Sequence, residues 1–104
     1  MTHEVVNNES LNSGVSKFLF FKNPPSLWVS DCQEKHIDIL KKSNKPLGGI
    51  QAAGAMIKDD NIIVDACGST TLGLDQGNSN IVAEYIKKLP GINPENVIIS
   101  KKNL

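Results

Sequence analysis

Two apolar runs separated by one short polar turn constrain the fold of this chain more than any other feature. The runs extend from Ile50 to Ile57 and from Ile62 to Cys67, and the turn between them reads KDDN. Runs of this length on either side of a turn are typical of a β-hairpin. The first run also has small residues at positions 52–55, which would let another part of the backbone approach closely.

Two further strands are predicted before the hairpin. The segments VSKFLFFK and LWVSDC are apolar and are joined by the proline turn NPPS, which neither a helix nor a central strand tolerates. After Cys32 the pattern predicts a short helix or an irregular excursion to Asn44. Ser30 and Gln33 are the predicted capping pair of that helix.

A helix and a last strand are predicted after the hairpin. In GNSNIVAEYIKKLPG the apolar residues recur on one helical face, Asn78 and its neighbours offer capping oxygens, and Pro90 ends the helix. The segment VIIS that follows predicts a strand, and a strand–helix–strand order favours parallel pairing with an earlier strand.

The organisation is predicted to be a single α/β (α+β) domain over residues 15–104, behind a flexible, polar N-terminal tail at residues 1–14. Its core order is β-β-β-α-β, which gives a small mixed sheet with one or two packed helices. The order of the elements alone does not decide which earlier strand pairs with the last strand.

Composition limits the partners. Eleven cations balance eleven acids, and every cation is lysine, so bidentate guanidinium recognition of guanine is excluded. Cys32 and Cys67 lack metal-type spacing, which favours two reduced thiols. The longest apolar run, Phe18 to Phe21, is too short to cross a membrane, so we expect a cytoplasmic protein without a membrane partner.

Three segments, LWVSD, the hairpin and NSNIVAEY, resemble in that order the first strand, the following hairpin and the first helix of ribonuclease H-like domains. VIISKKNL resembles the fourth strand of that family. The resemblance covers about residues 26–104 and corresponds to the N-terminal two thirds of such a domain. It implies a ribonuclease H-like fold and a nuclease-related role.

The resemblance also implies site residues. Nucleases of this kind hydrolyse phosphodiesters with Mg²⁺, which needs several carboxylates at one point. By motif position Asp31 and Glu84 are the implied catalytic and metal-binding acids. Glu84 would then lean over the sheet toward Asp31.

Departures from the family pattern predict impaired catalysis. Lys101, followed by Lys102, occupies the place of a third acid, and an ammonium group competes with Mg²⁺ there. The expected role is therefore binding of RNA, DNA or another partner rather than cleavage by this chain alone. Lys101, Lys102, Asn78 and Asn80 are the expected nucleic-acid contacts.

Two rival interpretations remain open. Cytidine and nucleotide deaminases share the order of elements and the motif GAMIKDDNII, but Val82 stands where a zinc ligand is required, so only an inactive deaminase-like scaffold fits. Alternatively, the chain is a non-catalytic interaction or dimerisation module resembling roadblock or profilin domains. It would then form a homo-oligomer or bind a protein partner through an exposed sheet edge, which Lys101 and Lys102 would blunt.

Three single residues are assigned structural roles. His36 is expected on the surface, Cys67 is expected to be a small buried strand residue, and Trp28 is expected to pack in the core.

Overall fold

A computed structural model describes residues 1–100 of the 104-residue chain. Within this part the fold is a mixed α+β domain with a six-stranded sheet and two α-helices, and neither helix has the length and apolarity to cross a membrane. The strands are β1 His3–Val5, β2 Gly14–Phe21, β3 Ser26–Asp31, β4 Ile50–Lys58, β5 Ile62–Asp65 and β6 Val97–Ile99, and the helices are α1 His36–Ser43 and α2 Ser79–Lys87.

The strands lie in the spatial order β1-β3-β2-β4-β5-β6. β4 and β5 form the predicted antiparallel hairpin, and β2 and β3 form a second one. β6 pairs parallel with β5, so the last strand returns beside the strand that directly precedes α2. The predicted parallel partner is thus the nearest one along the chain.

One face of the sheet, the α2 face, carries the larger core. α2 contributes Val82, Ala83 and Ile86, all of which are buried. Since strand side chains alternate between faces, every second residue of each central strand points to this face. The buried sheet residues of this core include Phe18, Phe20, Leu27, Val29, Met56, Ile62 and Val64.

The opposite face, the α1 face, is only partly covered. α1 packs over β2 and β3, and its Ile39 is buried against Leu19, Phe21 and Ala53. Trp28 packs half-buried against this smaller cluster, as predicted. We call the rest of this face, on β4, β5, β6 and the start of β2, the open half.

The two helices differ in how well the sequence predicts their first residue. α2 begins where expected, because Asn78 caps it by accepting a hydrogen bond from the Asn80 amide at 2.8 Å. The predicted capping pair of α1 is wrong, since that helix begins at His36 after Lys35, which makes no side-chain cap. β3 instead continues through Ser30 to Asp31, so Ser30 belongs to the strand.

The segment predicted as a flexible tail is packed onto the domain. β1 pairs antiparallel with β3, and a single 3-10 turn at Asn8–Ser10 follows it. Val5 and Leu11 are buried in the α2-face core at 0% and 5% exposure. Polar composition hid these two anchors, because apolar residues are few among the Asn, Ser and charged residues of this segment.

Candidate functional site

Asp31 lies at the end of β3 and is exposed. Its carboxylate accepts a hydrogen bond from the terminal ammonium group of Met1 at 3.2 Å. It lines a shallow concavity together with Ser16, its cross-strand neighbour, and Cys32. This end of the sheet therefore offers one carboxylate beside a cation.

Glu84 lies elsewhere. Its carboxylate pairs with Lys87 at 3.0 Å on the exposed side of α2, and it lines a cleft with Phe20. Ser16 of β2 is paired with Asp31, and Phe20 lies four residues further along the same strand. The concavity of Asp31 and the cleft of Glu84 are therefore separated by about 13 Å along β2. The structure does not bring Asp31 and Glu84 into one concavity.

The metal site implied by the ribonuclease H resemblance is therefore not assembled by its two predicted ligands. Within residues 1–100 no group of three or more His, Cys, Asp or Glu side chains is arranged to hold a metal ion. Lys101, which stands in the place of the third acid, and the following Lys102 are both predicted nucleic-acid contacts, and they lie outside the described residues. Mg²⁺ binding stays a prediction without support from this geometry.

The two asparagines predicted as nucleic-acid contacts lie together at the start of α2. The Asn78 side-chain oxygen is occupied by the cap. Asn80 is exposed and lines the same cleft as Glu84. The structure thus groups Asn80 with Glu84 and leaves Asn78 with a structural role.

The cleft beside α2 has a volume of about 330 Å³. Phe20 and Tyr85 form its floor and meet edge to face, with ring centroids 5.1 Å apart. Burial, and then the charge of Glu4, raise the pKa of the Tyr85 phenol, so it stays protonated at neutral pH. Glu84 and Lys88 on the rim have opposite charges. This apolar groove with a neutral rim lacks the cationic character that a phosphate backbone attracts.

The open half of the α1 face carries an uninterrupted aliphatic row. The register pairs Val15 of β2 with Ile57 of β4, Ile57 with Ile63 of β5, and Ile63 with Ile98 of β6. Val15, Ile57 and Ile98 are 48%, 41% and 41% exposed. Paired residues point to the same face, so four branched side chains cross about 14 Å of sheet. We call these four residues the aliphatic row.

Sequence reasoning missed the aliphatic row, although a signal exists. Ile62, Ile63 and Val64 are consecutive, and so are Val97, Ile98 and Ile99, which places apolar groups on both faces of each strand. That pattern indicates that both faces are covered. In the described part of the chain only the α2 face is covered at this position.

A second cleft, of about 290 Å³, lies where α1 begins, and Lys17, His36 and Cys67 line it. Here two predictions are wrong. His36 is buried at 8% exposure, whereas the Cys67 residue is exposed. β5 ends at Asp65, so Cys67 lies in the following loop, while α1 folds back over the sheet and inserts its first side chain.

His36 is held by the sheet backbone. Its Nε2 lies 2.9 Å from the carbonyl oxygen of Gly54. A carbonyl only accepts, so Nε2 carries the proton and donates it. Burial, and then the charge of Lys17, lower the pKa of His36, although the bond to Gly54 opposes them. The imidazole is therefore neutral at pH 7, with Nδ1 unprotonated.

Comparison with known proteins found no matching family model, no similar curated sequence and no similar solved structure. Function is accordingly argued from the residues of this chain.

Proposed function

We propose that this chain is a non-catalytic interaction module whose open half binds a second copy of the same chain. The aliphatic row carries the proposal. Isolated exposed apolar residues are ordinary, but a contiguous row on an open sheet face is typical of an interaction surface. Burying the row against its own copy would remove the exposed parts of four branched side chains from water, and each would contribute a fraction of the about 1.5–3 kcal/mol that complete burial of such a side chain provides, because more than half of each is already covered.

Charge supports a second copy as the occupant. The chain has a formal net charge of zero, so two copies do not repel. Lys17 of β2 and Asp65 of β5 flank the row on the same side, since both are in register with Ala55. A two-fold axis parallel to the strands, between β4 and β5, would place each Lys17 within about one strand spacing, ~5 Å, of Asp65 in the other copy.

The shape of the α1 face is compatible with this arrangement. α1 packs on β2 and β3 to one side of the row. The open half therefore lies one helix layer lower than the outer surface of α1. Packed sheets are about 10 Å apart, which is close to the thickness of a helix layer. The sheet of a second copy would therefore lie in the same layer as α1. The edge strands favour this face over edge pairing, because β1 and β6 are only three residues long.

The nuclease-related role implied by the resemblance, and the binding of RNA or DNA with it, stay predictions that we do not advance, because Asp31 and Glu84 line separate concavities. An edge-bound protein partner likewise stays a prediction.

The proposal predicts concentration-dependent self-association. Sedimentation velocity from about 1 µM to about 1 mM spans the affinities expected of a small interface. The parent chain should shift from monomer to dimer, and Ile57→Lys or Ile98→Lys should keep it monomeric. Leu47→Lys is the matched control, because Leu47 is at least as exposed, at 53%, but lies outside the row.

Charge reversal tests the orientation. Lys17→Asp should weaken the dimer, because two carboxylates would then face each other across the axis. Adding Asp65→Lys should restore it, because each pair again consists of one cation and one anion. A chain that is monomeric over the whole range overturns the second copy as occupant. Equal effects of Ile57→Lys and Leu47→Lys would remove the row from the interface.

A further inference from the structure

The concavity that Asp31 lines, of about 350 Å³, brings together polar groups that self-association does not use. Ser16 is the cross-strand partner of Asp31. His3, which also lines the concavity, is the partner of Val29, two residues earlier on the same strand as Asp31. Paired residues and every second residue of a strand share a face, so the three polar side chains point the same way. We call this concavity the Asp31 site.

The hydroxyl of Ser16 is the observation that points to a ligand. Ser16 is 2% exposed, and its Oγ has no hydrogen-bond partner among the described residues. A buried hydroxyl without a partner is costly, and a ligand that donates a hydrogen bond to it removes that cost. The wall of the Asp31 site therefore contains an unsatisfied polar atom next to a carboxylate.

Two oxygen acceptors at this spacing suit an ammonium nitrogen. Directly opposed residues have Cβ atoms about 4.5–5.5 Å apart, so a nitrogen between Ser16 and Asp31 lies within about 3 Å of an oxygen of each. The carboxylate repels anions. A metal ion needs more ligands, and the described part of the chain has no group of three or more His, Cys, Asp or Glu side chains arranged to hold one. A positively charged N–H donor is therefore the ligand chemistry that fits.

The structure already shows an ammonium group on this carboxylate. The terminal nitrogen of Met1 lies 3.2 Å from Oδ1 of Asp31, in a pair whose side chains are 97% and 68% exposed. An ion pair this exposed contributes little stability, so another ammonium ion can replace it. The Met1 nitrogen leaves the Ser16 hydroxyl without a partner. A ligand nitrogen that bonds to both oxygens makes one more hydrogen bond with the protein.

We propose that the Asp31 site binds primary ammonium groups, either of a small amine or of a lysine side chain on a partner protein. The nitrogen donates one hydrogen bond to the Asp31 carboxylate and one to the Ser16 hydroxyl. The rest of the ligand extends into solvent past the exposed carboxylate. Val15 lines the concavity and also belongs to the aliphatic row, so this proposal is tested in a chain designed not to dimerise.

Amide NMR spectra of the Ile98→Lys chain provide the test. Ile98 lies on β6, three strands away from β2, and its replacement removes the proposed dimer without changing the Asp31 site. Propylammonium chloride should shift the amide signals of Ser16 and Asp31 along a curve that saturates in the millimolar range. Tetramethylammonium chloride carries the same charge but no N–H donor, so it should give no saturating shift. Saturating shifts with both ions, or with neither, overturn the proposal.

Asp31→Asn tests the carboxylate. It should weaken propylammonium binding at least about tenfold, because the charge is lost while the shape of the side chain is kept. Asp60→Asn is the control, since it removes an exposed carboxylate in the KDDN turn, outside the site, and should leave the affinity unchanged. Equal losses in the two variants overturn the proposal, because the ion would then respond to overall charge alone.

Ser16→Ala separates binding from folding. It should weaken propylammonium binding about three- to tenfold and leave urea stability unchanged or higher, because the hydroxyl has no partner in the free chain. Ser26 supplies the matched control. It is 3% exposed, its Oγ also lacks a partner among the described residues, and it begins β3, whereas Asp31 ends that strand. Ser26→Ala should not change the affinity. An unchanged affinity in Ser16→Ala overturns the proposed site.

A second ligand distinguishes the two sources of the ammonium group. Nα-acetyl-lysine methylamide carries the same group on a short peptide backbone. Tighter binding of this compound than of propylammonium assigns the site to a lysine side chain of a partner protein. Equal or weaker binding assigns it to a small amine.

Discussion

Gly54 lies where the backbone after β5 crosses closest to β4. A Cβ atom at this position would overlap the carbonyl oxygen of Asp65 and lie within 2.9 Å of Ala66 Cα. Both contacts are backbone atoms, which cannot move aside as a flexible side chain does. The predicted close approach at positions 52–55 is confirmed, and it depends on the one residue of the four that lacks a side chain.

Gly54→Ala should therefore destabilise the fold by about 1–3 kcal/mol or more, through forced separation of β4 from the chain at Asp65. Urea unfolding measures the change. Gly48→Ala is the control, since no atom lies within 4 Å of a Cβ built there, and it should stay within about 0.5 kcal/mol of the parent. Similar losses in both variants would show that the cost is not steric.

Two other residues show what a local pattern leaves undecided. His36 follows a charged segment and Cys67 follows an apolar strand, so neighbours suggest an exposed imidazole and a buried thiol. The structure shows the opposite exposure for both residues. α1 folds over the sheet and covers His36, whereas the chain leaves the sheet before Cys67.

At the scale of the element, α2 is the part that local rules describe best. Its apolar spacing, its cap and its end at Lys87 are all set by residues within it or beside it. The Asn78 side chain satisfies the amide of Asn80, and the Ser79 hydroxyl accepts from the amide of Ala66 at 2.9 Å. Hydrogen bonds thus hold the start of α2 both within the helix and to the residue that follows β5.

Asn78→Ala should cost about 1 kcal/mol of unfolding free energy, because an amide at the helix start loses its partner. Asn78→Asp should retain stability, since a carboxylate also accepts and suits the positive end of the helix dipole. Equilibrium urea curves for the two variants provide the comparison. If both substitutions cost the same, acceptance by this side chain is not what stabilises the helix start.

For the hairpin and the last strand, the sequence predicts the strands themselves but not how their side chains align across the sheet. Apolar runs and the KDDN turn predict β4 and β5 within a residue or two. Pairing of β6 with β5 also follows from the short crossover through α2. The alignment of Val15, Ile57, Ile63 and Ile98 does not follow, because it depends on the registers of three separate strand pairs.

At the scale of the whole molecule, His36 connects the two layers of the smaller core. It belongs to α1 and bonds to β4, and Lys17 of β2 is the nearby charge that acts on it. The ring must stay neutral for this packing to be favourable, because burial and a neighbouring cation both oppose a second proton.

This predicts a pH-dependent stability. The pKa of His36 in the folded chain lies below its ordinary value of 6.5, so the unfolded chain binds the proton more readily. The contribution is fully present above pH 6.5 and is lost as pH falls through 6.5 toward the folded pKa. Urea midpoints between pH 7.5 and 5.5 should therefore decrease, and His36→Gln should reduce that decrease. An unchanged pH dependence in the variant would contradict this role.

The sequence by itself determined the strands β2 to β6, the position of α2 and the absence of arginine chemistry, because these depend on local spacing and composition. The tertiary structure decided whether Asp31 meets Glu84, whether Cys67 is exposed and which apolar residues form a row. Those outcomes depend on contacts between segments far apart in the chain, where register, layer order and the path of α1 set the neighbours. Local propensity carries no information about such distances, so the resemblance located the acids in the sequence without bringing them together in space.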